Sequence, residues 1–361
     1  MKVAILEYIC GSGIFRDCVP EGTNAELTSL LAEGYAMLSA LTNDMIDSGV
    51  EVRSPLEPSI EAWPRWRTWT DSQWTWSAIP YDAHRSLDEV ATRWIEAISN
   101  CDAAIVIAPE LDRILQQLVA RLRNAGVVVL ASDEPFLNAA SDQWETCQAW
   151  KRGEVHHPET YLLDDFLRVP REDAHSRRWL IKRRDSAGCV GLQAFEDVSS
   201  LVREAVSQRD LRKTPDRWVV QPWIPGIAAS MAVLCGQEHR VLGAFEQRIE
   251  PWKEEDPTEW CYRGGAGPIP GVNQQALQRF AEQVLQAIPG QPRGWIGIDF
   301  VIEPDGRWCA IEVNPRLTTS YLGYRKWYGH SLAGCWARGD SPSVDWQDFS
   351  RVSFSVEAFE G

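Results

Sequence analysis

Residues Gly294 to Arg316 read GWIGIDFVIEPDGRWCAIEVNPR and set Asp299, Glu312 and Asn314 into two apolar runs. WIGIDFVI and WCAIEV are β-type segments, and Glu303-Pro304-Asp305-Gly306 between them has the Pro and Gly of a turn, which predicts a hairpin with its carboxylates facing one another. A carboxylate within an apolar strand needs a partner, because its charge is expensive to bury alone. Two carboxylates and an amide oxygen form an all-oxygen donor set suited to Mg²⁺, with Mn²⁺ as the alternative ion. Mg²⁺ takes one or two protein carboxylates and completes its shell with water and phosphate oxygens. A strand end held by backbone hydrogen bonds would explain one Asp, but not the spacing D-x12-E-x-N-P-R. Arg316, which closes that spacing, offers a guanidinium to a carboxylate or a phosphoryl group.

Three more segments carry chemistry. In LIKRRDSAGCVGLQ, residues 180–193, Lys182 lies on a strand and Ser186, Gly188 and Gly191 form a small-residue loop. Such a loop lets backbone N–H groups approach phosphate oxygens, and the lysine adds a point charge. The lysine precedes the glycines, so this is not a Walker A motif; read alone, it is equally an ordinary hairpin. In WVVQPWIPGIAAS, residues 218–230, a strand runs into Gln221-Pro222-Trp223-Ile224, a hinge whose backbone can read the edge of a flat base between apolar side chains. YRGGAGP, residues 262–268, reads as a second Gly-rich loop, with Gly264 and Gly265 free to approach substrate or phosphate.

The elements that must position these residues alternate at first between strand and helix. Lys2 to Tyr8 is an apolar strand, and Cys10-Gly11-Ser12-Gly13 is a loop. A helix starting near Thr23, with Thr23 and Glu26 as a capping box, buries Leu27, Leu30, Leu31, Leu38, Leu41 and Met45 and stops at Gly49. Val50 to Arg53 is a strand, Ser86 and Glu89 cap another helix, Ala103 to Pro109 is a buried strand, Leu111 to Asn124 is helical, and Val127 to Ala131 is a further strand. This rhythm is that of a parallel, doubly wound α/β domain. Trp63, Trp66, Trp69, Trp74 and Trp76, within residues 62–81, follow no hydrophobic period. That stretch reads as a loop pinned by aromatic burial, or as a lid or the interface of a homodimer. Beyond Asp142 the pattern becomes α+β, with strands at Trp179 to Arg183, Trp218 to Pro222, Ser230 to Leu234 and Val241 to Ile249, and helices at Ser199 to Arg209 and Gln274 to Ala287.

A chain of 361 residues is long enough for two or three domains, and 44% hydrophobic with 24% charged residues is the composition of a soluble globular protein. No apolar run approaches the roughly 20 residues of a membrane span, and MKVAILEYICGSG reads as a core strand rather than a signal peptide, so a cytoplasmic location is expected. A formal charge of −15 argues against a nucleic-acid partner. Nine cysteines without a C-x-x-C pair read as reduced thiols. The six histidines show no metal spacing; His156 and His157, adjacent on an extended chain, point apart and read as a surface loop rather than a ligand pair.

In their order along the chain, the lysine with its loop, the hinge and D-x12-E-x-N-P-R resemble the ATP-grasp superfamily over roughly residues 140–320. The N-terminal ILEYICGSG, followed by LLAEGYAML, is similar to the ATP-grasp carboxylate–amine ligase family that includes the tyramine–L-glutamate ligases of methanofuran biosynthesis. The resemblance implies a Rossmann-like domain over residues 1–135, then a two-lobed ATP-grasp fold. Its small lobe with a phosphate lid would span residues 136–217, and its large lobe with the metal site residues 218–361. It further implies that Lys182 contacts ATP phosphates, Ser186, Gly188 and Gly191 belong to the lid, Gln221, Pro222, Trp223 and Ile224 hold adenine, and Asp299, Glu312 and Asn314 bind Mg²⁺. Lys182 and Arg316 would be the catalytic cations. Glu7, Gly11, Gly13, Gly264, Gly265, Thr318, Thr319 and Ser320 would meet a small-molecule carboxylate and amine, glutamate and tyramine being the family's pair. Thr318 to Ser320 read equally as a helix start capping itself. The chain departs from relatives at Ile227-Ala228-Ala229, where many have a ribose-binding acid, at Gly297, where some have an Arg, and at Gln143, where a Lys is common. A different amino-acid or peptide acceptor, and an ATP sensor without turnover, are the alternatives.

Overall fold

Lys2–Glu7 forms β1, whose four apolar residues Val3 to Leu6 are all inaccessible, as a strand covered on both faces requires. The structure is a computed structural model that describes residues 1–12, 25–58, 74–79, 86–168, 177–185, 189, 191–253, 256–329, 331–340 and 349–355. β1 pairs in parallel with β2, Glu51–Leu56, and with β4, Ala103–Ile107; β3, Trp74–Ala78, extends the sheet beyond β2 in the order β3-β2-β1-β4. The helix Ala25–Asp47 makes the crossover from β1 to β2 and buries Leu31, Leu38, Leu41 and Met45. The expected Thr23 cap, together with Trp63, Trp66 and Trp69, lies outside the described residues. At Leu87–Ala97 the Ser86 and Glu89 capping box is present in both directions.

Three expectations change here. Trp74 and Trp76 belong to a strand, not a loop: in WTWSA they alternate with Thr75 and Ser77, a period of two hidden by the irregular tryptophans before it. The helix expected from Leu111 begins at Ile114, because Asp112 and Arg113 adopt left-handed backbone angles. The Asp112 N–H donates to Asp185 and its carboxylate accepts from Arg183 and Arg217, contacts a continuous helix would not allow. Val127 to Ala131 contributes one parallel bridge, Ala104 to Val129, rather than a full strand.

A second sheet holds the remaining strands. β5 (Tyr161–Leu162), β6 (Trp179–Arg183), β7 (Gln193–Phe195) and β8 (Trp218–Pro222) form its smaller part with the core of Phe166, Trp179, Ile181 and Leu201. β9 (Ile227–Cys235), β10 (His239–Lys253), β11 (Asp256–Gly267), β12 (Gly294–Ile302) and β13 (Trp308–Asn314) form the larger, with β14 (Val352–Phe354) on β11. Period two divides β9 and β12 between two cores. Met231, Val233, Ile296, Ile298 and Phe300 face the helix Gln274–Gln286, whereas Ala232, Leu234 and Trp295 face the N-terminal layer. Asp299 follows Trp295 and Gly297 by twos and so falls on that second face. No helix among the described residues is long and apolar enough to cross a membrane.

The helices Tyr321–Tyr328 and Ser331–Arg338 join this sheet to the N-terminal layer. Their polar anchor is Asp44, buried on the helix Ala25–Asp47, which accepts from Tyr321 Oη at 2.7 Å and from Arg325 Nη2 at 2.7 Å. Asp44→Asn removes the charge opposite a part-buried guanidinium. It should lower stability in urea by about 2–3 kcal/mol, below the loss for a fully buried pair because Arg325 keeps some solvent. A change under about 0.5 kcal/mol, the usual scale of surface substitutions, would contradict this anchoring role.

Candidate active site

β12 and β13 pair antiparallel with Asp299 opposite Glu312 and Gly297 opposite Asn314, the juxtaposition expected of the hairpin. The next pair is Phe300 with Ala310, so Ile311 is an extra residue in β13. This bulge re-aims the strand, and both Ile311 and Glu312 line the cleft in front of it. The Ile311 carbonyl accepts from Gln143 Nε2 at 2.7 Å. Gln143, noted in the sequence as a departure, thus supports the strand that carries Glu312.

Asp299 Oδ1 accepts from Gln247 Nε2 at 3.1 Å and Oδ2 from Asn314 Nδ2 at 3.2 Å. Desolvation, and then the charge of Glu312, push its carboxyl from 3.8 up to about 7, although Ser230, Asn314 and Lys182 oppose the rise. Lys182, buried on β6, places Nζ 3.7 Å from Glu312 Oε2 and is the cation facing the pair from the smaller part of the sheet. The donor set is all oxygen, with two carboxyl groups held side by side. It therefore fits a hard divalent cation, which would relieve their repulsion.

The cleft has a volume of about 420 Å³. Leu180, Pro222, Trp223, Ile224 and Trp260 supply its apolar wall, with the Trp223 and Trp260 rings 5.3 Å apart. Gln221 also lines it, but its side chain is engaged, donating to Thr160 Oγ1 at 2.8 Å. Arg316, Thr318, Thr319 and Ser320 line the polar wall. Ser320 begins the helix Tyr321–Tyr328 without a side-chain cap, and its hydroxyl is 2.8 Å from Thr318 Oγ1, so self-capping does not explain the triplet. A Cβ on Gly297 would lie 2.7 Å from Thr318 Cγ2, which fills the place beside it.

Arg316 is less free than expected. Its Nε donates to both oxygens of buried Glu110, each at 2.9 Å, and its Nη1 to the Leu317 carbonyl at 3.2 Å. Burial works against its charge, but Glu110, Glu33 and Glu312 together hold it protonated.

Other expected residues lie elsewhere. The Glu7 carboxylate accepts from the N–H groups of Ile9 and Cys10 at 3.2 and 2.7 Å, capping the short helix Tyr8–Gly11. Gly34 makes room for it, since a Cβ there would sit 2.4 Å from Glu7 Oε1. Desolvation raises Glu7 to about 6. Gly11 packs under β2, where a Cβ would approach the Pro55 carbonyl to 2.5 Å. Gly264 and Gly265 lie in β11, not in a loop. They are small because the Phe354 backbone and ring cross them closely, and Gly264 has φ +125. None of these four is among the lining residues. Gly191, at φ +74, packs against Trp218, while its neighbour Cys189 lines the cleft. Gly13, Ser186 and Gly188 fall outside the described residues.

Glu33, Gln247 and Tyr262 line the cleft and were not singled out as site residues. They come from a distant helix and two other strands. Tyr262 opens the YRGGAGP segment and Glu33 belongs to LLAEGYAML, whereas no local motif marks Gln247. A more open depression of about 900 Å³ abuts Gln247; in its lining Asp44 pairs with Arg325 at 2.7 Å, and Glu246 pairs with Arg351 outside it.

An acid pair on the larger part of the sheet, with a lysine across from it on the smaller part and an apolar wall beside them, is an arrangement suited to gripping a nucleotide. The chain belongs to the ATP-grasp family: the ATP-grasp domain matches residues 140–320 and the pre ATP-grasp 3 domain residues 65–135. It is 22% identical over 228 residues to tyramine–L-glutamate ligase of Methanocaldococcus jannaschii, covering 63% of this chain and 59% of that one. The chain thus spans under two thirds of that relative's length. Among solved structures it is similar to an ATP-grasp superfamily protein from Archaeoglobus fulgidus, with TM-score 0.65, 21% identity and coverage of 95% and 90% of the two chains. It is also similar to the biotin carboxylase domain of Hydrogenobacter thermophilus 2-oxoglutarate carboxylase, solved with MgADP, ADP and bicarbonate. There the TM-score is 0.67, with 12% identity and coverage of 96% and 71%.

Because Asp299 keeps its proton in the folded metal-free chain up to about 7, and its ordinary value is 3.8, the folded state holds more protons between these values. Its contribution to stability is complete below 3.8 and is lost as pH rises through about 7. Glu312→Gln leaves the burial and removes the repelling charge, so Asp299 should titrate lower and the loss should span a narrower range. Carboxyl-carbon NMR titration of Asp299 in metal-free protein reads this directly, and identical midpoints in the two proteins would contradict it.

Proposed function

We propose that the chain is an ATP- and Mg²⁺-dependent carboxylate–amine ligase that forms an amide through an acyl phosphate. The observation that carries this reading is the cross-strand pair Asp299 and Glu312, with Lys182 Nζ 3.7 Å from Glu312, in a cleft walled by the Gln221 to Ile224 hinge. In this reading residues 1–135, 136–217 and 218–361 are the N-terminal domain, the small lobe and the large lobe of a cytoplasmic enzyme.

A carboxylate does not react with an amine until one of its oxygens becomes a leaving group. The substrate carboxylate attacks the γ-phosphorus of ATP, the bond to the β-phosphate oxygen breaks, and ADP departs. The amine then attacks the acyl carbon, the C–O bond to phosphate breaks, and the amine nitrogen gives up a proton. Trp223, Ile224 and Leu180 sandwich the base, and backbone groups of the hinge read its edge. Lys182 balances phosphate charge, and Gly191 and its neighbours cover the phosphates. Arg316, held in orientation by Glu110, faces the transferring group. Mg²⁺, or Mn²⁺, held by Asp299, Glu312 and Asn314 would neutralise phosphate oxygens. Closure around the acyl phosphate keeps water out.

For the substrates, the relative's name supports L-glutamate as the acid and tyramine or a similar amine; the family resemblance extends this to methanofuran-type biosynthesis. An amino-acid or peptide acceptor is the second reading.

Phosphate release from MgATP, assayed over a panel of amines and amino acids with and without L-glutamate, tests the proposal. Release that requires glutamate and one amine, with a product of the matching amide mass, is expected. ATP binding without release for any pair would favour a sensor. Asp299→Asn and Glu312→Gln should each reduce turnover by at least about 100-fold with unchanged circular dichroism, as expected when transition-state charge loses its counter-charge. Lys182→Ala should weaken ATP binding, and equal affinity by calorimetry would remove that lysine from the phosphate site.

A further inference from the structure

Far along the same hairpin, at its turn, stands a second group of donors of a different kind. Among the described residues, His156, Glu303 and Cys309 each offer a donor atom, and these atoms all lie within 4.8 Å of one another. Two come from the hairpin. Cys309 pairs across the ladder with Val301, and Glu303 lies two residues beyond Val301, so alternation puts both side chains on one face. The third comes from the segment after the helix Gln143–Arg152. His156 Nε2 lies 2.5 Å from Glu303 Oε2, and its own carbonyl accepts from the Ala310 N–H at 2.8 Å. His157 turns the other way, Nδ1 to the Val155 carbonyl at 2.7 Å, as the extended chain predicts.

We propose that His156, Glu303 and Cys309 form a binding site for a borderline-soft divalent cation of the Zn²⁺ type, separate from the all-oxygen site at Asp299. A thiolate, an imidazole nitrogen and a carboxylate oxygen are the donors Zn²⁺ prefers, and Mg²⁺ rejects the first two. Tetrahedral bonds of about 2.0–2.3 Å put donor atoms roughly 3.3–3.8 Å apart, a separation within the spread of this group. The His156 to Glu303 contact opens by about an ångström to admit an ion, which the partly exposed imidazole permits. The backbone fixes both halves, through Ala310 to His156 and through the Glu303 N–H to the Arg307 carbonyl at 2.9 Å. Arg307 Nη2 lies 3.6 Å from Glu303 Oε1, the oxygen that does not face the imidazole, and leaves Oε2 for the ion. Three protein ligands leave a fourth position for water. The ion would staple the hairpin carrying the acid pair to the segment leading into β5.

The test uses the full chain, stripped by chelator and titrated with Zn²⁺ against a chromogenic competitor. One equivalent should bind, and it should bind equally to Asp299→Asn, which separates this site from the cleft. His156→Ala and Cys309→Ser should each weaken binding by at least about tenfold, no less than the loss of an outer-shell partner produces. Co²⁺ in place of Zn²⁺ should give a near-ultraviolet thiolate charge-transfer band that Cys309→Ser abolishes. Should buried Cys309→Ser fail to fold, the more exposed His156→Ala decides alone. Less than one equivalent, affinity unchanged in the His156 or Cys309 variants, or affinity lost in Asp299→Asn would overturn the assignment.

Discussion

The burial of Asp299 beside Glu312 is the constraint on which the site depends. Hairpin register puts the two carboxylates side by side, on a face where only cations and hydrogen-bond donors make that arrangement tolerable. The donors come from every direction: Gln247 from β10, Asn314 from β13, Ser230 from β9 and Lys182 from β6. Gln143 holds the bulge that turns Glu312 outward. A shift of β12 by one residue would send Asp299 into the core around Ile296 and Ile298, so the apolar alternation of the strand fixes the chemistry as well as the fold.

Ion pairs carry this geometry to the rest of the chain. Glu110, just after β4, grips Arg316 of the cleft; Asp44 on the first long helix grips Tyr321 and Arg325; Asp112 meets Arg183 and Arg217 of the smaller strand group. They join the N-terminal layer to the segment after β13, to the helix Tyr321–Tyr328 and to the residues around β6 and β8. Glu110 and Asp44 are buried, so their partners gain orientation from a low-dielectric setting that exposed pairs lack. Arg316 is then held in place before any ligand arrives, which spares a long side chain the entropy of ordering on binding.

Much of this was readable from residue order because it depends on local pattern. The hairpin, its facing acids, the buried first strand and the Ser86 cap follow from periodicity and turn chemistry within a few residues. What was missed depends on distant neighbours. Gly264 and Gly265 look like a loop, yet they are strand residues kept small by Phe354, ninety positions away. Glu7 looks like a cleft acid, yet two backbone N–H groups and the gap left by Gly34 account for its position. Glu33, Gln247 and Tyr262 reach the cleft from three elements with no shared motif. Trp76 reads as irregular until Val52 and Ser54 supply the neighbouring strand.

The most direct measurement follows an oxygen atom. With the acid substrate labelled by ¹⁸O in the carboxylate that becomes the amide, and with whichever amine supports turnover, the released phosphate is analysed by mass spectrometry. Activation by phosphoryl transfer predicts one ¹⁸O in each phosphate, because the oxygen that attacked the γ-phosphorus leaves with it. Amide formed with unlabelled phosphate, or with label in AMP, would contradict an acyl phosphate and with it the mechanism assigned to this cleft.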